Sequence, residues 1–198
     1  MANRILVYNP KGGQGKTTIS VNFALYSAYD FFTNDYRTGS EDLYREKFPE
    51  GKFHAIDPDD IHILVPAKSV FDFGGWLDER IVKIASKMDL CIIPICYQSK
   101  ADWQPFAKLI ISLSKINSKI VIVINNTRRE YVEQLLEVIP QTVGDYPVKV
   151  IKPSLFMGYL ADQGETPFEI RGITGAPKKA LVSLQDNLKG LFDSMMKY

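Results

Sequence analysis

The sequence predicts an α/β fold in which a doubly wound, mostly parallel sheet carries helices on both faces. Short apolar runs alternate with longer amphipathic stretches, which is the pattern of parallel strands joined by helical crossovers. The runs at residues 90–95 and 120–124 are continuously apolar, as expected of strands that are covered on both faces. A chain of 198 residues suits one domain, so residues 1–198 are predicted to form a single domain.

Periodicity places the individual elements. The predicted strands are residues 5–8, 31–33, 69–72, 90–95, 120–124 and 148–151. Apolar residues at helical spacing predict helices from Lys16, around Trp103, around Val132 and at the carboxyl end, where Leu181 begins an apolar stripe. The packed face of the helix around Val132 is predicted to include Leu135 and Leu136. The polar stretch 37–60 contains several proline and glycine breakers and is predicted to be an exposed, mobile excursion.

Composition excludes several classes of protein. Hydrophobic residues make up 45% of the chain and charged residues 24%, which excludes a wholly disordered or coiled-coil protein. The formal charge is only +1, so contact with nucleic acid would need a local basic patch. Cys91 and Cys96 lie in or beside an apolar run and are predicted to be small buried side chains. The apolar run at 5–8 is too short for a signal peptide, which predicts a cytoplasmic location.

The segment 9–18, Asn-Pro-Lys-Gly-Gly-Gln-Gly-Lys-Thr-Thr, falls between the first strand and the first helix. Glycines in such a loop let backbone N–H groups converge on phosphate oxygens, and the following helix terminus favours an anion. Lys16 is predicted to neutralise phosphate charge and the Thr17 hydroxyl to ligate Mg²⁺. The predicted nucleotide-binding residues of this loop are Gly12, Gly13, Gln14, Gly15, Lys16, Thr17 and Thr18.

The first glycine of the usual P-loop pattern is replaced by Pro10. What remains, residues 11–18, resembles the deviant Walker A motif of the ParA/MinD family of P-loop ATPases, in which an additional lysine precedes the glycine pair. The resemblance implies binding and hydrolysis of ATP with Mg²⁺, and a homodimer that forms when ATP binds. It further implies that Lys11 reaches the nucleotide of the facing subunit and acts in catalysis together with Lys16.

Two further segments resemble the residues that sense the γ-phosphate in this family. Residues 70–75 resemble the Walker B and switch II segment, which implies that Asp72 holds a Mg²⁺-bound water and that the Gly75 N–H bonds the γ-phosphate. The family pattern Asp-x-Asp-Pro is represented by residues 33–36, where only the second aspartate, Asp35, remains. Asp35 is the residue that we expect to orient the attacking water, with a simple turn-forming role as the alternative.

Two asparagines, Asn125 and Asn126, follow the strand at 120–124, where this family places an adenine-contacting asparagine. An amide can pair with the donor and acceptor edge of adenine, although asparagine also forms turns at strand ends. The sequence does not distinguish between the two residues.

The resemblance is strongest to the short partition ATPases, which bind nucleoid DNA non-specifically and are released by a ParB-like centromere-binding adaptor. It implies a cytoplasmic, nucleoid-associated protein that segregates a plasmid or chromosome. Non-specific DNA binding is largely phosphate neutralisation, and residues 171–198 carry an excess of three positive charges. The candidate DNA contacts are Arg171, Lys178, Lys179 and Lys189, with a solvated helix face as the alternative.

Three other functions are weighed against partition. A MinD-like positioning ATPase would insert a terminal amphipathic helix into the membrane interface, and its apolar residues would be Leu188, Leu191, Phe192 and Met195. A core-packing helix needs the same apolar stripe, so membrane contact is the less favoured hypothesis. An ATP-bound scaffold without turnover is the second alternative. A metal or redox carrier of the same superfamily is disfavoured by the predicted burial of Cys91.

Overall fold

The computed structural model describes residues 2–35, 39–57, 59–60, 62–74, 80–117, 119–170 and 172–198. Within them lie seven strands: β1 Arg4–Tyr8, β2 Asp30–Thr33, β3 Phe53–Ala55, β4 Ser69–Phe73, β5 Leu90–Ile95, β6 Ile120–Asn125 and β7 Val148–Ile151. The α-helices are α1 Lys16–Ser27, α2 Gly39–Tyr44, α3 Arg80–Ala85, α4 Lys100–Leu113, α5 Arg129–Thr142, α6 Leu155–Asp162 and α7 Ala176–Met196. None of the described helices is both long and apolar enough to cross a membrane.

The seven strands form one sheet in the order β3-β2-β4-β1-β5-β6-β7, and every neighbouring pair is parallel. The chain leaves β1 toward β2 on one side and later crosses over β1 from β4 to reach β5 on the other. Such a reversal leaves a crevice outside the carboxyl ends of the strands, which is where open α/β sheets bind ligands. The loop that follows β1 lies at this point.

Two hydrophobic cores cover the two faces of the sheet. One contains apolar side chains of α1 and α7, among them Phe23 and Phe192, whose rings meet edge to face at 5.0 Å. The other contains side chains of α3, α4 and α5, among them Phe106 and Leu135. The predicted fold class, with helices on both faces of a parallel sheet, is confirmed.

The prediction for residues 37–60 is wrong for much of its described part. Residues 39–44 form α2, and β3 pairs with β2 to extend the sheet by one strand. Phe48 and Phe53 are buried, and both pack against the ring of Phe31 in β2. Burial of these aromatic rings stabilises the segment despite its many polar residues. The proline and glycine breakers separate its short elements but do not prevent them from forming.

The carboxyl-terminal helix α7 packs on the sheet through the stripe that the sequence predicts. Leu188 is 1% exposed, and Phe192 and Met195 are fully buried. Leu136 of α5, in contrast, is 44% exposed, so its predicted place on the packed face of that helix is wrong. Its neighbour Leu135 lies in the core instead, because the helix turns about 100° per residue and only one of two adjacent positions can face the sheet.

Candidate functional site

Polar residues from five strand ends meet at the carboxyl edge of the sheet, around the loop that joins β1 to α1. Asn9 is the first of them and is 2% exposed. Its amide nitrogen donates to the Pro94 carbonyl at 2.8 Å, and its amide oxygen accepts from the Lys11 N–H at 2.9 Å. The side chain thus ties the start of the loop to the end of β5. No motif marks Asn9 as a site residue, and only its place directly after β1 could have indicated it.

The loop itself needs glycine at two positions. Gly13 and Gly15 have φ angles of 72° and 81°, in the left-handed region that side chains disfavour. A Cβ at Gly15 would also lie 2.2 Å from the Asn125 amide nitrogen, which donates to the Gln14 carbonyl at 3.2 Å. Only glycine allows the backbone to pass this close to β6 and then enter α1.

Lys16 lies inside the loop and is 8% exposed. Its ammonium donates to the Lys11 carbonyl at 3.1 Å, across the mouth of the loop. Burial lowers the pKa of this ammonium, while the nearby Asp72 and Asp35 carboxylates oppose the shift. The structure therefore brings together Lys16, Asp72 and Asp35, three residues that are widely separated in the sequence.

Asp72 is the last-but-one residue of β4 and is 1% exposed. Its Oδ2 accepts from the Thr17 hydroxyl at 2.8 Å, whereas its buried Oδ1 has no hydrogen-bond partner in the part of the chain that the structure describes. Burial raises the pKa of the Asp72 carboxyl to about 6, against the opposing influence of the Thr17 hydrogen bond and Lys16. A buried carboxylate with one free oxygen beside a hydroxyl is an oxygen donor set that suits Mg²⁺.

Lys11 points away from this buried group. Its ammonium forms an ion pair with Asp102 in α4 of the same chain, and the two side chains are 41% and 5% exposed. Asp102 also accepts from the backbone N–H groups of Gln98 and Ser99, as the capping box of α4. Burial alone would raise the pKa of Asp102, but the bonds from Lys11 and these N–H groups hold it below its usual value.

Gln14 acts in this structure through its side chain, which bonds the end of β5. The amide oxygen accepts from the Cys96 N–H at 2.7 Å, and the side chain is almost fully buried. Gln14 therefore fastens the loop to the end of β5 rather than facing the pocket. Asp102 and this contact were both missed by the sequence analysis, although the spacing Ser99-x-x-Asp102 is a readable helix-start signal.

A cavity of about 170 Å³ opens beside the loop. Its lining includes Gly13, Gly15, Thr18 and both strand-end asparagines, Asn125 and Asn126. The far wall comes from residues that the sequence analysis did not identify, namely Ile151, Lys152, Ser154, Met157, Gly158 and Ala161. They belong to the end of β7 and to α6, which no sequence motif connects with the loop.

The remaining candidates lie apart from this site or beyond the described residues. Lys178, Lys179 and Lys189 are exposed on α7. Gly12 lies in the loop, and a Cβ there would meet open space. Gly75 and Arg171 lie outside the described residues.

The site and the sheet together define the class: an α/β fold of the P-loop NTPase type. Among solved structures, a plasmid partition protein of Borrelia burgdorferi bound to AMPPNP matches with a TM-score of 0.68 and 13% identity, over 98% of this chain and 99% of that one. MinD of Aquifex aeolicus matches with a TM-score of 0.55 and 14% identity, over 94% and 96%. A Cyanothece McdA variant in complex with ATP matches with a TM-score of 0.60 and 11% identity, over 93% and 95%.

These three neighbours are ParA/MinD-type proteins, and identities of this size show that the fold is shared. The resemblance found in residues 11–18 is thereby confirmed at the level of the fold. No protein-family model matches the sequence, and no curated protein matches it either.

Proposed function

We propose that this chain is a Mg²⁺-dependent ATPase of the ParA/MinD type that dimerises when it binds ATP and positions DNA in the cell. The observation that carries the proposal is the arrangement of Lys16, Thr17 and Asp72 within the glycine loop. A buried ammonium and a buried, half-satisfied carboxylate are costly in an empty site, and a magnesium triphosphate compensates both. Neighbours with bound AMPPNP and ATP support the choice of nucleotide.

Each residue has a part in the proposed reaction. The loop N–H groups and Lys16 would hold the phosphates, and Thr17 with Asp72 would hold Mg²⁺, which would supply positive charge beside the phosphoryl group. Asp35, which lies close enough to Asp72 and Lys16 to influence the pKa of both, orients the attacking water. One of the two strand-end asparagines faces the adenine. Asn125 is already bonded to the Gln14 carbonyl, so Asn126 is the freer of the pair.

Partition of DNA is favoured over attachment to a membrane by the packing of α7. Membrane insertion would require Leu188, Leu191, Phe192 and Met195 to leave the core, where each is at most 8% exposed. Full burial of such side chains is worth about 1.5–3 kcal/mol each, so the helix would give up a large part of its packing energy. Its exposed lysines, in contrast, are available to DNA phosphates without any rearrangement.

The proposed partners are a second copy of the chain, non-specific DNA and a ParB-like adaptor that stimulates hydrolysis. The direct test is binding to random-sequence DNA with ATP, with ADP and without nucleotide, beside anionic liposomes in the same three states. DNA binding that requires ATP and weakens with salt is expected. Equal DNA affinity in all three states would contradict the partition function, and ATP-dependent binding to liposomes would favour the MinD-like alternative.

A further inference from the structure

Two loops at the carboxyl edge of the sheet are joined by a side chain that the proposed reaction does not use. One loop follows β2 and carries Asp35, and the other follows β4 and leads toward residue 75. The Asn34 amide oxygen accepts from the Gly74 N–H at 2.5 Å, and the Asn34 N–H donates to the Asp72 carbonyl at 3.4 Å. Asn34 thus bonds both ends of a three-residue stretch.

This contact continues the sheet beyond its strands. The parallel ladder between β2 and β4 ends with Thr33 opposite Asp72. Past that point the Asn34 side chain takes the place of a main-chain acceptor. Its amide oxygen accepts a hydrogen bond from the N–H of Gly74, the first residue after β4. The turn is also fixed on the β2 side, where the Asp35 N–H donates to the buried Thr33 hydroxyl at 3.1 Å.

We propose that Asn34 is a positioning residue that holds the backbone of Asp35 in a fixed place relative to Gly74. The inference rests on the proposed ATPase function, because that function assigns the orientation of the attacking water to Asp35. The hydrogen bond from the Gly74 N–H restrains Asn34, and this restraint reaches Asp35 through the peptide bond between them. Loss of the hydrogen bond leaves Asp35 in its turn but makes its position less well defined.

The chemistry of the position favours a neutral amide. Asp72 and Asp35 already influence each other, since the Asp35 charge contributes to the raised pKa of Asp72. An aspartate at position 34 would accept the same hydrogen bond but would add a third carboxylate to this group. Space opposite is limited, because a Cβ at Gly74 would lie 3.2 Å from the Asn34 amide oxygen and would press on this contact.

Turnover and nucleotide affinity are measured separately for Asn34→Ala, Asn34→Asp, Gly74→Ala and the double variant Asn34→Ala/Gly74→Ala. Asn34→Ala is expected to lower kcat about tenfold, as for one lost hydrogen bond, and to leave ADP affinity within about twofold. The double variant is expected to be no slower than the slower single variant, since both changes break one contact. Additive losses would overturn the proposal. Asn34→Asp is expected to recover part of the turnover.

The matched control is Asn117→Ala, which removes two hydrogen bonds to the Ala85 and Met88 carbonyls on the amino-terminal side of β6. This substitution is expected to lower the stability of the protein, because Asn117 has a structural role. Asn117 lies far from the reacting groups. A control variant with the same loss of kcat at unchanged nucleotide affinity would show that Asn34 acts only through stability.

A second readout does not depend on hydrolysis. Hydrogen exchange of the Gly74 amide reports on the contact itself, and in Asn34→Ala this exchange is expected to be about tenfold faster because the N–H loses its acceptor. Unchanged exchange would overturn the link. If the wild-type protein binds ATP but never hydrolyses it, the ATPase proposal fails, whereas the exchange result still decides the role of Asn34.

Discussion

The two sides of the glycine loop differ in how completely the protein satisfies their charges. On the α1 side, Lys16 and Asp72 are buried, and one oxygen of Asp72 has no hydrogen-bond partner among the described residues. On the α4 side, Lys11 is 41% exposed and is paired with Asp102, whose oxygens accept several further bonds. The first side is arranged for a ligand, whereas the second is already complete within one chain.

This difference bears on the role that the resemblance gives to Lys11. A lysine that serves the facing subunit must first leave Asp102, so the ion pair within the chain competes with the dimer. An isolated exposed ion pair is worth about 0–1 kcal/mol, but a partner as buried as Asp102 makes separation more costly. We therefore expect that Lys16 governs nucleotide affinity and that Lys11 governs association.

The largest effect is expected from Lys16→Ala. Loss of a charged phosphate contact should weaken ATP binding about 100-fold, measured by competition with a fluorescent nucleotide. Lys11→Ala is the matched control from the same loop and should change the affinity of the monomer less than about threefold. Equal losses in the two variants would contradict the distinction between the two sides.

The next effect concerns Asp72 and pH. Its raised pKa means that the folded protein takes up a proton more readily than the unfolded chain, so Asp72 makes the nucleotide-free protein less stable as pH rises from about 4 through about 6. Mg²⁺-dependent ATP affinity should fall as pH drops through the same upper value.

Asp72→Asn should raise the free energy of unfolding of the nucleotide-free protein by about 1–3 kcal/mol at pH 8. It should also abolish the Mg²⁺ dependence of ATP binding. Chemical denaturation at pH 5 and pH 8 checks the first result, and nucleotide titration with and without EDTA checks the second. A destabilised variant would contradict this account of the buried carboxylate.

A smaller effect is expected when the ion pair on the α4 side is removed. Asp102→Asn keeps an acceptor for the capping N–H groups but loses the charge that holds Lys11. The ATP-bound dimer should tighten about tenfold in sedimentation equilibrium, because Lys11 no longer has to be released. Ser99→Ala, which weakens the same helix cap without touching the charge, is the control. A weaker dimer in Asp102→Asn would show that the pair supports the dimer.

The smallest effect is expected on the surface of α7. The double variant Lys178→Gln/Lys179→Gln should weaken DNA binding by the ATP-bound protein about two- to fivefold at low salt. It should also reduce the slope of log affinity against log salt by about two. Lys108→Gln on α4 is a matched exposed control. Unchanged salt dependence would remove these lysines from the DNA surface.

Most of the sheet could be predicted because its interior strands are continuous apolar runs. The β5 run at 90–95 was predicted to the residue, and β1, β2, β4 and β6 to within one residue at each end. The elements missed were the short ones, β3, α2, α3 and α6, which are stabilised by tertiary packing rather than by their own periodicity. Phe53, for example, reaches the core only because Phe31 and Phe48 meet it there.

The site divides in the same manner. Local sequence was enough to place the glycine loop and Asp72 at the carboxyl edge of the sheet, because the loop and the strand end each have a readable pattern. The roles of these residues stay predictions. The partners that act across the fold could not be predicted, since the contacts of Asp102 with Lys11 and of Asn34 with Gly74 span 91 and 40 residues. The pocket wall from α6 is also far along the chain from the loop that it faces. Such contacts follow from the strand order, which no single segment encodes.

The most direct test of the account is calorimetric titration of the wild-type protein with ATP at pH 7.5, with and without Mg²⁺. We expect one nucleotide bound per chain, with affinity that depends on Mg²⁺ and with a dimer detected by light scattering only when ATP is present. Absence of binding to any adenine nucleotide in the presence of Mg²⁺ would contradict it.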